Sequence, residues 1–85
     1  MSAAQQITYS EFDRAYFALP ARRREQVDRK IDEMGLRLRS FPHHRLKGSE
    51  RCRLRVGEYR VIYRFDVDRN VIHLLALGHR REIYR

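Results

Sequence analysis

Apolar positions in the first half of the chain recur at helical spacing. Phe12, Tyr16 and Leu19 fall at i, i+4 and i+7, which places them on one face of a short helix. Ser10 precedes them and suits a helix start, because a hydroxyl there can accept from the unpaired amides of the first turn. Pro20 ends this helix, since its ring cannot continue a helical interior. The same proline suits the first turn of a second helix, in which Val27, Ile31, Met34 and Leu38 recur at i, i+4, i+7 and i+11 with charged residues between them. Ahead of both, the alternation around Thr8, with Ile7 and Tyr9 beside it, suits a short strand. The pattern predicts a strand and then a two-helix hairpin whose apolar stripes need a sheet to cover them. Ser40 to Gly48, with Pro42, two histidines and Gly48, reads as the connecting loop.

From Arg51 the period changes from 3.6 to 2. In Arg51-Cys52-Arg53-Leu54-Arg55-Val56 every second side chain is a cation, and a strand puts the two sets on opposite faces. Gly57-Glu58 suits a tight primed turn, so Val56 faces Tyr59 across a hairpin. Counting outward, Arg55 opposes Arg60, Arg53 opposes Ile62 and Arg51 opposes Arg64 on one face. Cys52, Leu54, Val56, Tyr59, Val61, Tyr63 and Phe65 share the other. One face is core and the other a field of five arginines. A turn in Asp66 to Asn70 leads to Val71–Leu77, apolar on both faces, as a covered or central strand requires. The expected fold is α+β: a strand, a two-helix hairpin, then a mainly antiparallel three-strand meander, forming one sheet with the helices on one face.

At 85 residues the chain has room for one two-layer core, a single domain over 1–85, which excludes most cofactor-binding enzymes. Cys52 has no second cysteine for a disulfide or a cysteine-based metal site, and on the core face it behaves as a small hydrophobe. No apolar run approaches the roughly 20 residues that span a bilayer, and Met1 to Gln6 is too polar for a secretory signal, so a cytoplasmic location is expected. Neither a metal nor a cofactor is expected. His43 and His44 adjoin in the loop and need not converge on an ion. His73, inside an apolar strand, reads as a hydrogen-bonded packing residue, and Tyr59 and Tyr63 read as core.

Charge changes the picture. The net charge is +8. Residues 1–42 hold 8 Lys/Arg and 6 Asp/Glu, whereas residues 43–85 hold 11 and 5. Seventeen of the 19 cations are arginine, which reflects either genomic base composition or a use for a planar fork suited to phosphate. Like charges directly opposite on a sheet are destabilising. A solvated face can carry long cations that repel little at physiological salt. The density of arginines and the lack of interleaved acids point instead to a phosphate-bearing partner.

The run Leu46-Lys47-Gly48, the arginine strand, Val56-Gly57-Glu58-Tyr59-Arg60-Val61-Ile62-Tyr63 and the closing Gly78-His79-Arg80-Arg81-Glu82-Ile83-Tyr84 resemble the RelE branch of the RelE/ParE toxin superfamily of type II toxin–antitoxin pairs. The resemblance spans nearly the whole chain and is most specific over residues 51–85. It implies a toxin that enters the ribosomal A site and cleaves mRNA without a metal. The ribose 2′-OH attacks the adjacent phosphate, leaving a 2′,3′-cyclic phosphate and a free 5′-OH. The matching positions are Arg51 and Arg53 for two sheet lysines, Arg60 after the hairpin turn, Arg80, and Tyr84 near the end. Arg55, Arg64, Lys47 and Arg81 are the expected further RNA contacts. The resemblance also implies an acidic RelB-like antitoxin in a hetero-oligomer, with ribosome and mRNA as targets and no membrane.

Arginine at positions 51 and 53 alters the chemistry. A lysine in a cationic cluster can lose its proton, whereas arginine stays charged to above about pH 12. The general base then falls to Tyr84, to His79, or to a ribosomal or RNA group; His79 reads equally as a neighbour that bonds backbone or stacks on RNA. Two other functions share the fold: a ParE-like poison of DNA gyrase, and a nucleic-acid-binding module without catalysis.

Overall fold

Pro20 divides the helical half of the chain, and a change of period marks where the sheet begins. The computed structural model describes residues 2–83. In chain order its elements are β1 (Gln5–Thr8), α1 (Ser10–Ala18), α2 (Ala21–Leu36), β2 (His44–Arg45), β3 (Cys52–Val56), β4 (Tyr59–Asp66) and β5 (Val71–His79). They build one five-stranded sheet in the order β1-β5-β4-β3-β2. The β1–β5 pair is parallel and the rest antiparallel. The expected α+β architecture is present, with one addition: the loop before β3 holds β2, whose two residues are too few for periodicity to reveal.

The helix boundaries follow from backbone bonding. Tyr9, not Ser10, caps α1, and no side chain bonds the open amides. The Tyr9 amide donates to Leu74 O at 3.0 Å, which extends the pairing of β1 with β5 and leaves Ser10 as the first helical residue. Glu11 and Asp13 in the first turn complement the positive end of the helix. Pro20 caps α2 in an extended conformation, and its carbonyl accepts from the Arg23 and Arg24 amides at 2.9 and 3.1 Å. The Tyr16 hydroxyl binds the Asp28 carboxylate at 2.8 Å, fastening the two helices. Val27, Ile31 and Met34 are buried, as is Leu38 just past the end of α2.

The sheet sorts its side chains as the alternation predicts, with three departures. Cys52, Leu54, Val56, Val61 and Tyr63 join Ile72, Leu74 and Leu77 in the core under the helices. The spacing of the last three breaks because β4 and β5 shift register between Ile62 and Tyr63. Leu75 becomes an extra residue, as in a β-bulge. Second, the β3–β4 ladder ends at Cys52↔Tyr63, so the expected Arg51–Arg64 pairing does not form. The Arg51 carbonyl instead accepts the Leu46 amide at 2.8 Å. Third, on the face away from the helices Arg60 and Ile62 are buried rather than solvated, with Ile62 opposite Arg53 as the alternation predicts. The turn itself is as expected: Gly57 has φ +60°, a left-handed conformation natural to glycine.

His43 locks the β2 loop to the core. Its Nε2 lies 2.7 Å from Leu38 O and must donate to that carbonyl. Nδ1, 2.6 Å from the Tyr63 hydroxyl, therefore accepts in the neutral ring. The ring also stacks on Phe65 with centroids 3.7 Å apart. Burial, followed by the neighbouring Cys52 thiol, pushes the Tyr63 hydroxyl well above the usual phenol range. Burial likewise raises Cys52 and Tyr16.

Two outcomes follow for stability. Tyr63→Phe leaves the His43 nitrogen without its donor and should lower unfolding free energy by about 1–2 kcal/mol, read from urea midpoints at unchanged slope. All three raised groups favour the protonated folded state. Their stabilisation is complete below the unfolded-state values of about 8.5 for thiol and 10 for phenol, and is lost as pH climbs through the folded ones. Stability should thus decline in alkali, less steeply in Tyr63→Phe; an equal decline would remove Tyr63 as a cause.

Candidate functional site

The hairpin's second face gathers cations because alternation leaves them nowhere else to go. Arg53 and Arg55 on β3, and Arg60 and Arg64 on β4, share that face, with Arg55 opposite Arg60. On the outer side β2 sets His44 opposite Arg53. A hollow of about 380 Å³ opens there, lined by Phe41, Pro42, His44, Arg53, Leu54, Arg55 and Arg60. Among the described residues no Asp or Glu lines it. Arg64, separated from this group by Ile62, borders a second hollow of about 410 Å³ with Arg45, Arg69 and His73, where Glu50 and Asp66 offset the charge. A larger one of about 560 Å³ lies beyond α2, around Leu36 and Leu38. Its lining offers arginine and apolar groups but no acid or base that titrates near neutrality. Of the three, the first hollow gathers the most sheet arginines, Arg53, Arg55 and Arg60.

Arg60 is its most ordered member. Only 6% of it is exposed. Its Nη1 donates to Gly57 O at 3.1 Å and Tyr59 O at 2.9 Å, so the hairpin's own carbonyls fix the guanidinium. Directly across lies Gly78, and a Cβ there would stand 3.2 Å from Ile83 Cδ1. Glycine at 78 thus lets Ile83 fold down beside Arg60. Residues 79–83 turn over, with the Glu82 and Ile83 amides donating to His79 O at 2.8 and 3.1 Å.

Arg80 belongs to the same end of the sheet. Its amide donates to Glu58 O at 2.8 Å, and its Nε meets the Glu58 carboxylate at 3.1 Å. His79 does not join the arginines of the hollow. It pairs with Tyr59 on the helix side of the sheet, with ring centroids 5.8 Å apart and nearly perpendicular. Its Nδ1 accepts the Arg81 amide at 3.3 Å, and Nε2 lies 3.9 Å from Glu58. Arg51 stands before β3, its amide and Nε donating to Ser49 Oγ at 3.0 and 3.3 Å. Lys47 and Arg81 are exposed in turns and line neither cationic hollow. Tyr84 lies outside the described residues. His44 is the group that sequence reading missed as a site residue, because the two-residue strand that aims it is invisible to pattern.

Elsewhere, His73 Nδ1 lies 3.0 Å from the Tyr9 hydroxyl, a hydrogen-bonded strand residue as expected. Among the described residues no three His, Cys, Asp or Glu side chains cluster as metal ligands, and no helix is long and apolar enough to cross a membrane. Guanidinium donors gathered around one hollow, with Arg60 held in place by its own hairpin, can bind and polarise a phosphodiester.

Comparison with known proteins agrees with this geometry. A family model described as the ParE toxin of the type II toxin–antitoxin system parDE matches residues 2–84. No curated protein sequence matches at a significant level. Among solved structures, the intact E. coli RelBE toxin–antitoxin complex matches at 21% identity and TM-score 0.75, covering 91% of this chain and 96% of that one. The archaeal RelE–RelB complex from Pyrococcus horikoshii matches at 23% and 0.74, covering 95% and 99%. The RelBE2 complex from Mycobacterium tuberculosis matches at 21% and 0.73, covering 92% and 99%. At these identities the likeness is one of fold.

Affinity for a single-stranded polyanion such as poly(U) should fall steeply with salt. Each phosphate neutralised contributes a log–log slope of about −0.7, so three arginines give roughly −2, and Arg55→Ala should make the slope shallower by about one contact. A salt-independent affinity, measured by fluorescence anisotropy, would remove phosphate binding from this face.

Proposed function

The chain belongs to the ParE toxin family of type II toxin–antitoxin systems, in the RelE/ParE superfamily, and we propose that it is a ribosome-dependent mRNA endoribonuclease of the RelE kind. The observation that carries this reading is the hollow in which Arg53, Arg55 and Arg60 meet on one face of the sheet. MRNA held in the ribosomal A site presents a phosphodiester to this face. The 2′-oxygen attacks phosphorus in line and the 5′-oxygen departs, while negative charge grows on the non-bridging oxygens. Arginines that keep their charge throughout can stabilise that charge without rearranging. Arg60, held by Gly57 O and Tyr59 O, is oriented before the substrate arrives. Arg80, tied to Glu58, comes from a second segment and supplies a second cation at the same end of the sheet. Tyr84 is assigned to positioning the 2′-OH, Arg51 and Arg53 to binding and polarising, and Arg55, Arg64, Lys47 and Arg81 to RNA contacts. His79 takes a supporting role at the hairpin turn, beside Glu58.

A partner that silences the toxin follows from the charge. A +8 chain attracts an acidic, RelB-like antitoxin that orders as it binds and masks the arginine face. Toxin and antitoxin then form a hetero-oligomer in the cytoplasm. The match to a ParE model favours one second reading, a poison of DNA gyrase, and arginine in place of lysine keeps a non-catalytic RNA-binding module as a third.

One comparison separates the three: purified protein assayed on programmed ribosomes, on naked RNA and in gyrase supercoiling. Cleavage confined to programmed ribosomes is the expected result; inhibition of supercoiling alone would establish the second reading, and binding without cleavage the third. Arg60→Ala or Arg80→Ala should slow single-turnover cleavage about a hundredfold or more, the loss of one well-placed donor to developing charge, with little change in ribosome affinity. Thermal unfolding checks that the hairpin survives. Tyr84→Phe isolates the hydroxyl, and if all three variants cleave at the normal rate the roles given to Arg60, Arg80 and Tyr84 are wrong.

A further inference from the structure

The nuclease reading lacks a base, and the hollow contains one. Three arginines line it, and all stay charged across the physiological range. Of the described side chains that line it, His44 alone belongs to a type that gains and loses a proton near neutrality. We propose that His44 is the catalytic general base, taking the proton from the attacking ribose 2′-OH. This deepens the function proposed above and rests on it.

The geometry carries the assignment. Antiparallel pairing of β2 with β3 sets His44 directly opposite Arg53, so the imidazole stands on the arginine side of the sheet. His44 is exposed, which leaves it open to a substrate, whereas the adjacent His43 is committed to Leu38 O and the Tyr63 hydroxyl. That anchor holds the segment from which His44 projects. His79 sits at the opposite face against Tyr59, and His73 is bonded to Tyr9 beyond the bulge. The charged groups around His44 are Arg53 and Arg55 from β3 and Arg60 from β4, with His43 and Arg45 flanking it on its own segment. Phe41 and Pro42 form the apolar wall.

The step balances simply. The imidazole nitrogen takes the 2′ proton as the 2′-oxygen bonds to phosphorus. The bond from phosphorus to the 5′-oxygen breaks, its electron pair leaves on that oxygen, and water supplies the proton that makes the 5′-OH. The imidazolium then returns its proton to solvent.

Single-turnover cleavage by the purified toxin, on ribosomes programmed with short mRNAs that place each sense codon in the A site, tests the assignment. Wild type should show an acid limb with a single inflection, as protonation of one general base produces. His44→Gln should cleave about a hundredfold slower or worse, as loss of a general base dictates, with the inflection gone and ribosome affinity unchanged. Added imidazole should restore part of the rate to His44→Ala, which a merely structural role would not permit, and thermal unfolding confirms the fold of both variants. If wild type cleaves and His44→Gln keeps both rate and inflection, or if the inflection vanishes instead in His79→Gln, the assignment is overturned while the nuclease reading stands. If wild type cleaves no programmed ribosome, that reading falls and the role of His44 with it.

Discussion

The register of the β3–β4 hairpin is the constraint on which the other features rest. Gly57, at φ +60°, lets the chain reverse in two residues, and the turn then pairs Val56 with Tyr59 and every residue behind them. A slip of one residue would carry Arg53 and Arg55 into the space under the helices and turn Cys52, Leu54 and Val56 outward. Burial of Val61 and Tyr63 at the centre of the sheet makes such a slip prohibitive. The same apolar packing that drives folding therefore concentrates charge on the other face. Site and core are two consequences of one alternation, and neither can be edited without the other.

The sheet was largely readable because its information is local: period, turn chemistry and chain order each point to the same topology, as expected where levels of structure agree. The hairpin register, the split at Pro20 and the buried stripe of Val27, Ile31 and Met34 all follow from patterns within a dozen residues. What stayed hidden depends on contacts between distant segments. The bulge at Leu75 arises where β4 and β5 meet, and the cap at Tyr9 from an amide bound to Leu74 O in β5. His43 and His44 look alike in the sequence, side by side in a loop rich in turn formers. Only the fold separates them, one ring locked between Leu38 O and Tyr63 and the other set opposite Arg53. Arg60 was legible as a candidate on the arginine face, but not its burial, which requires carbonyls at the hairpin tip.

Repulsion between the paired arginines is modest beside the packing that imposes it. At an effective dielectric of about 20, two unit charges about 6 Å apart interact by about 3 kcal/mol, less with salt, whereas burying each large apolar side chain of the hairpin stabilises by roughly 1.5–3 kcal/mol, and Leu54, Val56, Val61 and Tyr63 are all buried. Bonds from Arg60 to its own hairpin's carbonyls lower the cost further by holding one guanidinium in a fixed pose. The face can therefore persist without a bound anion.

That persistence follows from the use of arginine. A lysine crowded by cations relieves the repulsion by giving up its proton, and in doing so becomes a base. An arginine cannot, so the charge at positions 53, 55 and 60 remains as pH changes. Binding and proton transfer, which a lysine cluster can combine, must then reside in different side chains. A titratable group has to be brought to the cations by another part of the chain, and the two-residue strand β2 does this by setting His44 against Arg53. The smallest element of the sheet thus supplies the one property that its most charged strands exclude.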